Sequence, residues 1–230
     1  MVYSLGQKLV AEFVGTFALV LVAAGAVALG GDLLAVALAY GLIVLAFTYA
    51  YGDISGGHLN PAVTVGAWIV GSIEAAEAVG YIVAQVLGGI VAAFVLAYLL
   101  GGVGTGLGAT LLAGGASASE AAAISVTPVR GFVLEAVGAF VVVSAVLHTA
   151  VALRVSGSGA AVPVGLAYVA VLLFLQPLTG GALNPARAIG PAVATGNFTN
   201  LWVYIAAPLA GAAVAALLYK AILAPSDHRW

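Results

Sequence analysis

The chain of 230 residues is 64% hydrophobic and only 6% charged, and its mean hydropathy is +1.22. A soluble domain carries about 25% charged residues, so this composition excludes a soluble globular protein and indicates one that is surrounded by lipid. The absence of cysteine excludes disulfides and thiol chemistry, and a net charge of −2 without any basic run argues against nucleic-acid binding.

Six stretches of the sequence are long and apolar enough to cross a membrane, which takes about 20 helical residues. The stretch that follows Lys8 is interpreted as the first span and not as a signal peptide, because it is long enough to cross the bilayer. In chain order, the predicted spans are roughly 8–29, 35–52, 76–100, 130–152, 161–178 and 200–223.

Two further apolar segments, at roughly 61–71 and 185–195, are too short to span. At about 1.5 Å per helical residue, each would cover only half of the bilayer. A glycine-rich stretch precedes each one, at 52–58 and at 179–182. Irregular backbone at membrane depth is tolerated only inside protein or along a cavity, so both segments are predicted to be re-entrant half-helices.

The distribution of Lys and Arg predicts that both termini are cytoplasmic. With that orientation, four basic residues fall on the inner side, namely Lys8, Arg154, Lys220 and Arg229. Arg130 falls on the outer side, and Arg187 lies within a half-helix and is not counted. The stretch 101–128 then becomes a long external loop and 154–160 a short internal one.

The sequence contains an internal repeat. Residues 11–17 resemble 134–140, residues 57–62 resemble 181–186 and residues 85–89 align with 208–212, at offsets of 123 or 124 positions. Each half holds three spans, an odd number, so the second half must be inverted relative to the first. We therefore expect an all-α membrane protein in which inverted repeats 1–105 and 125–230 form a single domain with six transmembrane helices and two half-helices.

An Asn-Pro-Ala motif opens each half-helix, formed by Asn60, Pro61 and Ala62 and by Asn184, Pro185 and Ala186. Asparagine is a good N-cap and proline fits the first helical position, which leaves the asparagine NH₂ free to donate into a pore. Both helix N-termini would carry partial positive charge at the bilayer centre and repel protons and cations. The alternative is that both motifs are capping turns in a transporter core.

The two segments 55–64 and 179–187 resemble the signature loops of the aquaporin and aquaglyceroporin family, and the similarity extends over essentially the whole chain. This resemblance implies one pore per subunit and a homotetramer in a cell membrane. No cofactor is expected, and no metal site either, because a lone histidine such as His148 cannot supply the three or four protein ligands that zinc usually takes.

Arg187 comes one helical turn outward of Asn184, and an arginine inside a membrane is usually functional. The resemblance implies that it forms the selectivity filter with Tyr40, Leu172 and Gly181; the alternative is an arginine that reaches the surface. Water-selective members typically have histidine at the position of Leu172, so a wider and less polar constriction is expected. Glycerol facilitators usually have aspartate where this chain has Ala188, and the intermediate pattern resembles archaeal aquaporins.

Three polar residues are predicted to support the loops that precede the half-helices. Glu12 and Glu135 occupy equivalent places in the two halves, and each is expected to accept hydrogen bonds from the backbone of its nearby loop. A proton relay is the alternative. His58 is expected to tie its loop by hydrogen bonds or, alternatively, to act as a pH-dependent gate.

The sequence contains no catalytic constellation, so an enzyme is not expected. The predicted function is a passive channel for water and small neutral solutes such as glycerol that excludes protons and ions. A solute facilitator with low water flux, an ion-coupled transporter and a structural junction between membranes are the alternatives. A coupled transporter would need coordinating acids near its broken helices, and the only one there is Asp53 at the cytoplasmic entrance.

Overall fold

A computed structural model describes residues 2–113, 124–151 and 157–224, and within them the chain is helical and contains no strand. In these three ranges, six helices are long and apolar enough to cross a membrane, as the sequence predicts. Two helices of 9 and 11 residues are about half as long as the others. The helices are Leu5–Ala28 (α1), Leu33–Ser55 (α2), Pro61–Ile69 (α3), Ala75–Leu99 (α4), Pro128–Val146 (α5), Gly157–Thr179 (α6), Pro185–Thr195 (α7) and Leu201–Leu218 (α8).

The irregular segments before the half-helices are shorter than the sequence predicts. Helix α2 continues through Gly52 to Ser55 and ends where Gly56 adopts a φ of 91°, a conformation that favours glycine. Helix α6 likewise extends to Thr179, and Gly180 follows with a φ of 77°. The glycine content of these stretches suggested early helix ends, but a single left-handed residue is sufficient to end a helix.

The helices α5 and α8 both continue into a wider π-helical turn, at Leu147–Val151 and Tyr219–Leu223. Corresponding N-caps open the first helix of each half. Ser4 accepts a hydrogen bond from Gln7 N at 3.3 Å, and Thr127 accepts one from Arg130 N at 3.4 Å.

Glycines allow the long helices to cross at close range. A Cβ atom at Gly88 of α4 would collide with the Phe13 carbonyl oxygen of α1. At the corresponding crossing, a Cβ at Gly211 of α8 would collide with the Ala136 carbonyl oxygen of α5. Small residues permit such backbone contact between membrane helices. The two crossings place the first helix of each half against one of the half's other spans.

The described ends of the chain lie on the same side of the molecule. Lys8 Nζ at the start of α1 forms a 2.8 Å ion pair with Glu77 in the first turn of α4. Lys220 Nζ after α8 lies 3.5 Å from the Ile69 carbonyl oxygen, at the end of the half-helix that directly precedes α4. Arg154 and Arg229, on which the topology prediction also depends, lie outside the described residues.

Candidate functional site

The two Asn-Pro-Ala motifs begin α3 and α7 with the same capping geometry. Asn60 Oδ1 accepts a hydrogen bond from Ala62 N at 2.8 Å, and Asn184 Oδ1 accepts one from Ala186 N at 2.9 Å. A proline follows each asparagine as the first helical residue, where the missing N–H leaves no bond unmade. Both asparagines are fully buried, so the positive ends of two helix dipoles lie inside the protein.

Reciprocal hydrogen bonds join the two motifs. Asn60 Nδ2 donates to the Leu183 carbonyl oxygen at 2.8 Å, and Asn184 Nδ2 donates to the Leu59 carbonyl oxygen at 2.8 Å. Leu59 and Leu183 have φ values of 52° and 54°, which leucine rarely adopts. Each loop therefore holds a strained residue whose carbonyl bonds to the opposite asparagine, and the N-termini of α3 and α7 meet at the centre of the molecule.

The sequence predicts that the NH₂ group of Asn60 is free, but in the structure both of its hydrogens are bonded to protein atoms. Its second bond runs from Nδ2 to the Tyr168 hydroxyl oxygen at 2.8 Å. Tyr168 lies on α6 one helical turn before Leu172, and its side chain is 1% exposed. Sequence analysis missed Tyr168, although the four-residue spacing from Leu172 puts both on one helix face and was the available signal.

Glu12 is a buried carboxylate that holds the loop before α3. Its oxygens accept the backbone N–H groups of His58 at 2.9 Å and Leu59 at 2.7 Å. They also accept the Ser55 hydroxyl at 2.6 Å and Gln85 Nε2 at 2.7 Å. Four donors thus replace the water that a buried carboxylate would otherwise need.

Glu135 forms the equivalent cluster before α7 with fewer donors. Its oxygens accept the backbone N–H groups of Ala182 at 3.0 Å and Leu183 at 2.7 Å, and the Thr179 hydroxyl at 2.6 Å. The position that corresponds to the glutamine of the first half is Pro208, which has no donor. Within the part of the chain that the structure describes, loop and helix groups donate the hydrogen bonds that these two carboxylates receive, an arrangement that fixes loop geometry.

Tyrosines secure the helix ends that lead into both loops. The Tyr81 hydroxyl donates to the Ser55 carbonyl oxygen at 2.8 Å, and the Tyr204 hydroxyl donates to the Thr179 carbonyl oxygen at 2.8 Å. The two tyrosines are related by the 123-residue offset of the repeat. Comparison of the two halves would have paired them, but nothing in the sequence alone indicates which carbonyl each one contacts.

Arg187 lies in the first turn of α7 and is 2% exposed. This burial contradicts the alternative of an arginine that reaches the surface. Within the described residues, its Nε and Nη1 groups have no hydrogen-bond partner. Buried donors without a partner are costly, so these groups are available to a molecule that passes beside them.

The other three predicted filter residues lie close to one another. A Cβ atom on Gly181 would collide with the Leu172 side chain, so leucine covers the glycine. The Tyr40 hydroxyl donates to the Ala182 carbonyl oxygen at 2.7 Å, which ties α2 to the loop before α7. The Tyr40 ring stacks on Tyr168 with centroids 5.2 Å apart and an interplanar angle of 23°.

Cavities approach this centre from both sides. On the side of the molecule that carries the α1–α2 connection, a cavity of about 470 Å³, termed the outer cavity, reaches Arg187 and includes Asp32 and Gln176. On the side that carries Lys8, a second cavity of about 470 Å³, termed the inner cavity, is lined by His58 and Glu77 among others. A narrow extension of about 10 Å³ also borders His58 and ends at Tyr168. The two half-helix N-termini thus lie between two cavities that open to opposite sides.

His58 contacts its own half-helix and the inner cavity. Its Nδ1 lies 3.1 Å from the Thr64 hydroxyl, and that hydroxyl also accepts a hydrogen bond from Gln85 Nε2 at 2.9 Å. His58 is therefore linked through Thr64 to the same cluster that contains Glu12. This geometry favours the role of tying the loop.

Comparison with known proteins places the chain in a family. The family model for the major intrinsic protein matches residues 2–219. A glycerol uptake facilitator-like protein of Lactiplantibacillus plantarum is 39% identical over 91% of this chain and 95% of its own length. An aquaporin of Methanothermobacter marburgensis is 36% identical over 94% of this chain and 97% of its own length.

A solved structure supports the fold independently. The aquaglyceroporin from Plasmodium falciparum superposes with a TM-score of 0.82 over 96% of this chain and 97% of that chain, at 24% sequence identity. At that identity the likeness concerns the fold alone. Since the family model spans nearly the whole chain and the relatives match it almost end to end, this protein belongs to the major intrinsic protein family of membrane channels.

Proposed function

We propose that this channel conducts water and small neutral solutes passively along a path between the two cavities, past Arg187 and the paired motifs, and rejects protons and ions. The observation that carries this proposal is the reciprocal bonding of Asn60 and Asn184 at the facing N-termini of α3 and α7. It fixes two positive dipole ends at one point on the path.

Rejection of cations follows from charge and desolvation. A cation at the pore centre meets both dipole ends and loses its hydration shell in a site of buried side chains. Arg187 adds a full positive charge between this point and the outer cavity. A neutral solute meets neither penalty and can accept hydrogen bonds from the unpartnered guanidinium N–H groups.

The filter that we propose comprises Tyr40, Leu172, Gly181 and Arg187. Leucine and glycine supply no polar side-chain atom, so Arg187 would be the main side-chain donor to a solute there. Similarity to one relative named for glycerol uptake and to another named as an aquaporin supports both water and glycerol as solutes. We assign loop support to Glu12, Glu135 and His58, on the hydrogen bonds described above.

The whole chain is proposed to form one channel domain of two inverted repeats, 1–105 and 125–230. The proposal includes a homotetramer in the cell membrane with both termini in the cytoplasm. The positions of Lys8 and Lys220 on one side of the molecule support the shared location of the termini.

Solute equilibration in liposomes without any ion gradient tests passive conduction. Purified protein is reconstituted and the entry of radiolabelled glycerol is followed in symmetric salt, with and without a protonophore. Glycerol should reach the same internal concentration as outside, faster than in protein-free liposomes and regardless of protonophore. Accumulation above the external concentration that collapses with the protonophore would contradict the proposal and indicate a coupled transporter.

A further inference from the structure

Tyr168 lies at the pore centre, and its counterpart in the first half of the repeat is a smaller, apolar residue. Gly41 and Gly165 face each other's backbone across the α2–α6 crossing, and they are 124 positions apart. With the same offset, Tyr168 corresponds to Val44. Both residues line the narrow inner extension, so they share one environment and differ in size and polarity.

The Tyr168 hydroxyl takes the hydrogen-bond position that a permeating oxygen would use. Asn60 Nδ2 has two hydrogens; one bonds to the Leu183 carbonyl and the other to the Tyr168 hydroxyl at 2.8 Å. Oδ1 of the same amide is engaged with Ala62 N. Every polar atom of the Asn60 side chain therefore has a protein partner while Tyr168 is in place.

The ring of Tyr168 is held in position on its other side. It stacks on Tyr40, whose hydroxyl is bonded to the Ala182 carbonyl oxygen at 2.7 Å. Tyr168 is 1% exposed and so has few other conformations within reach. An aromatic side chain fixed at both its face and its hydroxyl is a rigid obstacle, in contrast to a flexible aliphatic one.

We propose that Tyr168 sets the size limit of the pore at its centre and favours water over polyols. The inference rests on the proposed function, since it concerns the same path. A water molecule needs only to exchange with the Tyr168 hydroxyl at Asn60, one oxygen for another. A polyol must bring its carbon chain past the ring as well, so the ring excludes a polyol more strongly than it excludes water.

Two substitutions separate the effect of the hydroxyl from that of the ring. Tyr168→Phe removes the bond to Asn60 and keeps the ring. Tyr168→Val removes the ring and introduces the residue type that the first half has at the equivalent position, Val44. The matched controls are Tyr49→Phe and Tyr49→Val, because Tyr49 is 65% exposed on α2. Water permeability from sucrose-driven shrinkage and glycerol permeability from volume recovery are measured in liposomes, per reconstituted protein.

The proposal predicts that Tyr168→Val raises the ratio of glycerol to water permeability by about tenfold. This is the low end of the discrimination that a small difference in steric fit gives. Tyr168→Phe should raise water permeability and leave that ratio nearly unchanged. The Tyr49 variants should match the wild type. If Tyr168→Val fails to fold, Tyr168→Leu, which also replaces the ring by a flexible aliphatic side chain, carries the same prediction.

The outcomes distinguish this inference from the proposed function. Wild-type fluxes well above those of protein-free liposomes, with both Tyr168 variants unchanged, would overturn the inference and leave the channel function intact. No flux in the wild type but flux in Tyr168→Val would support the obstruction and overturn conduction by the wild type. No flux in the wild type and in either variant would overturn both.

Discussion

Among the described residues, the buried charged side chains all lie around the two half-helices, and each carboxylate there is surrounded by donors. From groups in the described ranges, Glu12 accepts four hydrogen bonds and Glu135 accepts three, donated by the loop that each one adjoins and by neighbouring helices. Such a carboxylate stabilises its loop only as long as it can accept from several directions at once. A proton relay would instead need successive acids along a path.

Replacement of Glu135 by glutamine therefore tests the structural role. The amide has one acceptor oxygen, so the backbone N–H groups of Ala182 and Leu183 can no longer both be satisfied, and its NH₂ group faces one of them. We expect a loss of about 1–3 kcal/mol in the free energy of unfolding, seen as a lower unfolding temperature in detergent. Glu74→Gln is the control, since Glu74 is exposed and caps no backbone group.

An unchanged unfolding temperature in Glu135→Gln would contradict the role in holding the loop. A loss of proton flux without loss of stability would favour the relay instead.

The positive charge of Arg187 is predicted to exclude protons and cations. In Arg187→Leu, the charge is lost while much of the side-chain volume remains, so liposomes should show faster proton entry, measured with an enclosed pH-sensitive dye. Arg130→Leu, at an exposed position at the start of α5, is the matched control and should not leak. Equal proton entry in the two variants would show that the half-helix dipoles suffice without Arg187.

At the scale of elements, close helix crossings position the loops. Helices α5 and α8 touch through backbone at Gly211, and α1 and α4 do so at Gly88. These contacts set how near Glu135 and Glu12 come to their loops, because each carboxylate lies in the helix that the glycine approaches. The lengths of the apolar segments predict the six spans and the two half-helices. The points where the helices cross depend on which glycines face a neighbouring helix, and segment length does not indicate that.

Substitution of Gly211 by alanine should weaken the α5–α8 crossing. The added methyl group collides with the Ala136 carbonyl oxygen, a backbone atom that cannot move aside alone, so we expect a loss of about 1–3 kcal/mol. Gly104→Ala is the control, because a Cβ there meets nothing within 4 Å. Unfolding temperatures in detergent compare the two, and equal values would contradict the tight crossing.

The sequence could predict the six spans, the two half-helices and the paired motifs, because apolar length and a repeated motif are local signals. It could not predict that Tyr168 bonds to Asn60, since that contact joins residues 108 positions apart through the packing of α6 on the loop. Nor could it predict that α2 extends to Ser55, because the glycine that ends the helix is one of several candidates.

At the scale of the whole molecule, one side carries both described ends of the chain and the other carries the segment after α4. Lys8 and Lys220 approach the α3–α4 connection, whereas Gly108, in the segment after α4, packs against the last turns of α1 at Ala24. The membrane therefore lies between these two sets of groups, and the paired motifs occupy the middle of the molecule.

Single cysteines can report this orientation cleanly, because the chain has none of its own. Val2→Cys and Ile222→Cys, both highly exposed, should react with a membrane-impermeant maleimide only after cells are permeabilised. Val103→Cys, exposed on the opposite side, should react in intact cells. The reverse pattern would place the termini outside, and a split between Val2 and Ile222 would contradict the six-span topology.

Conduction of water through the centre of the protein can be measured by stopped-flow shrinkage of liposomes that contain the wild-type protein, driven by sucrose at several temperatures. A pore through the centre of the protein predicts faster shrinkage than in protein-free liposomes and a weaker temperature dependence, because water no longer crosses the hydrocarbon core. Shrinkage with the rate and temperature dependence of protein-free liposomes would contradict an open water path between the two cavities.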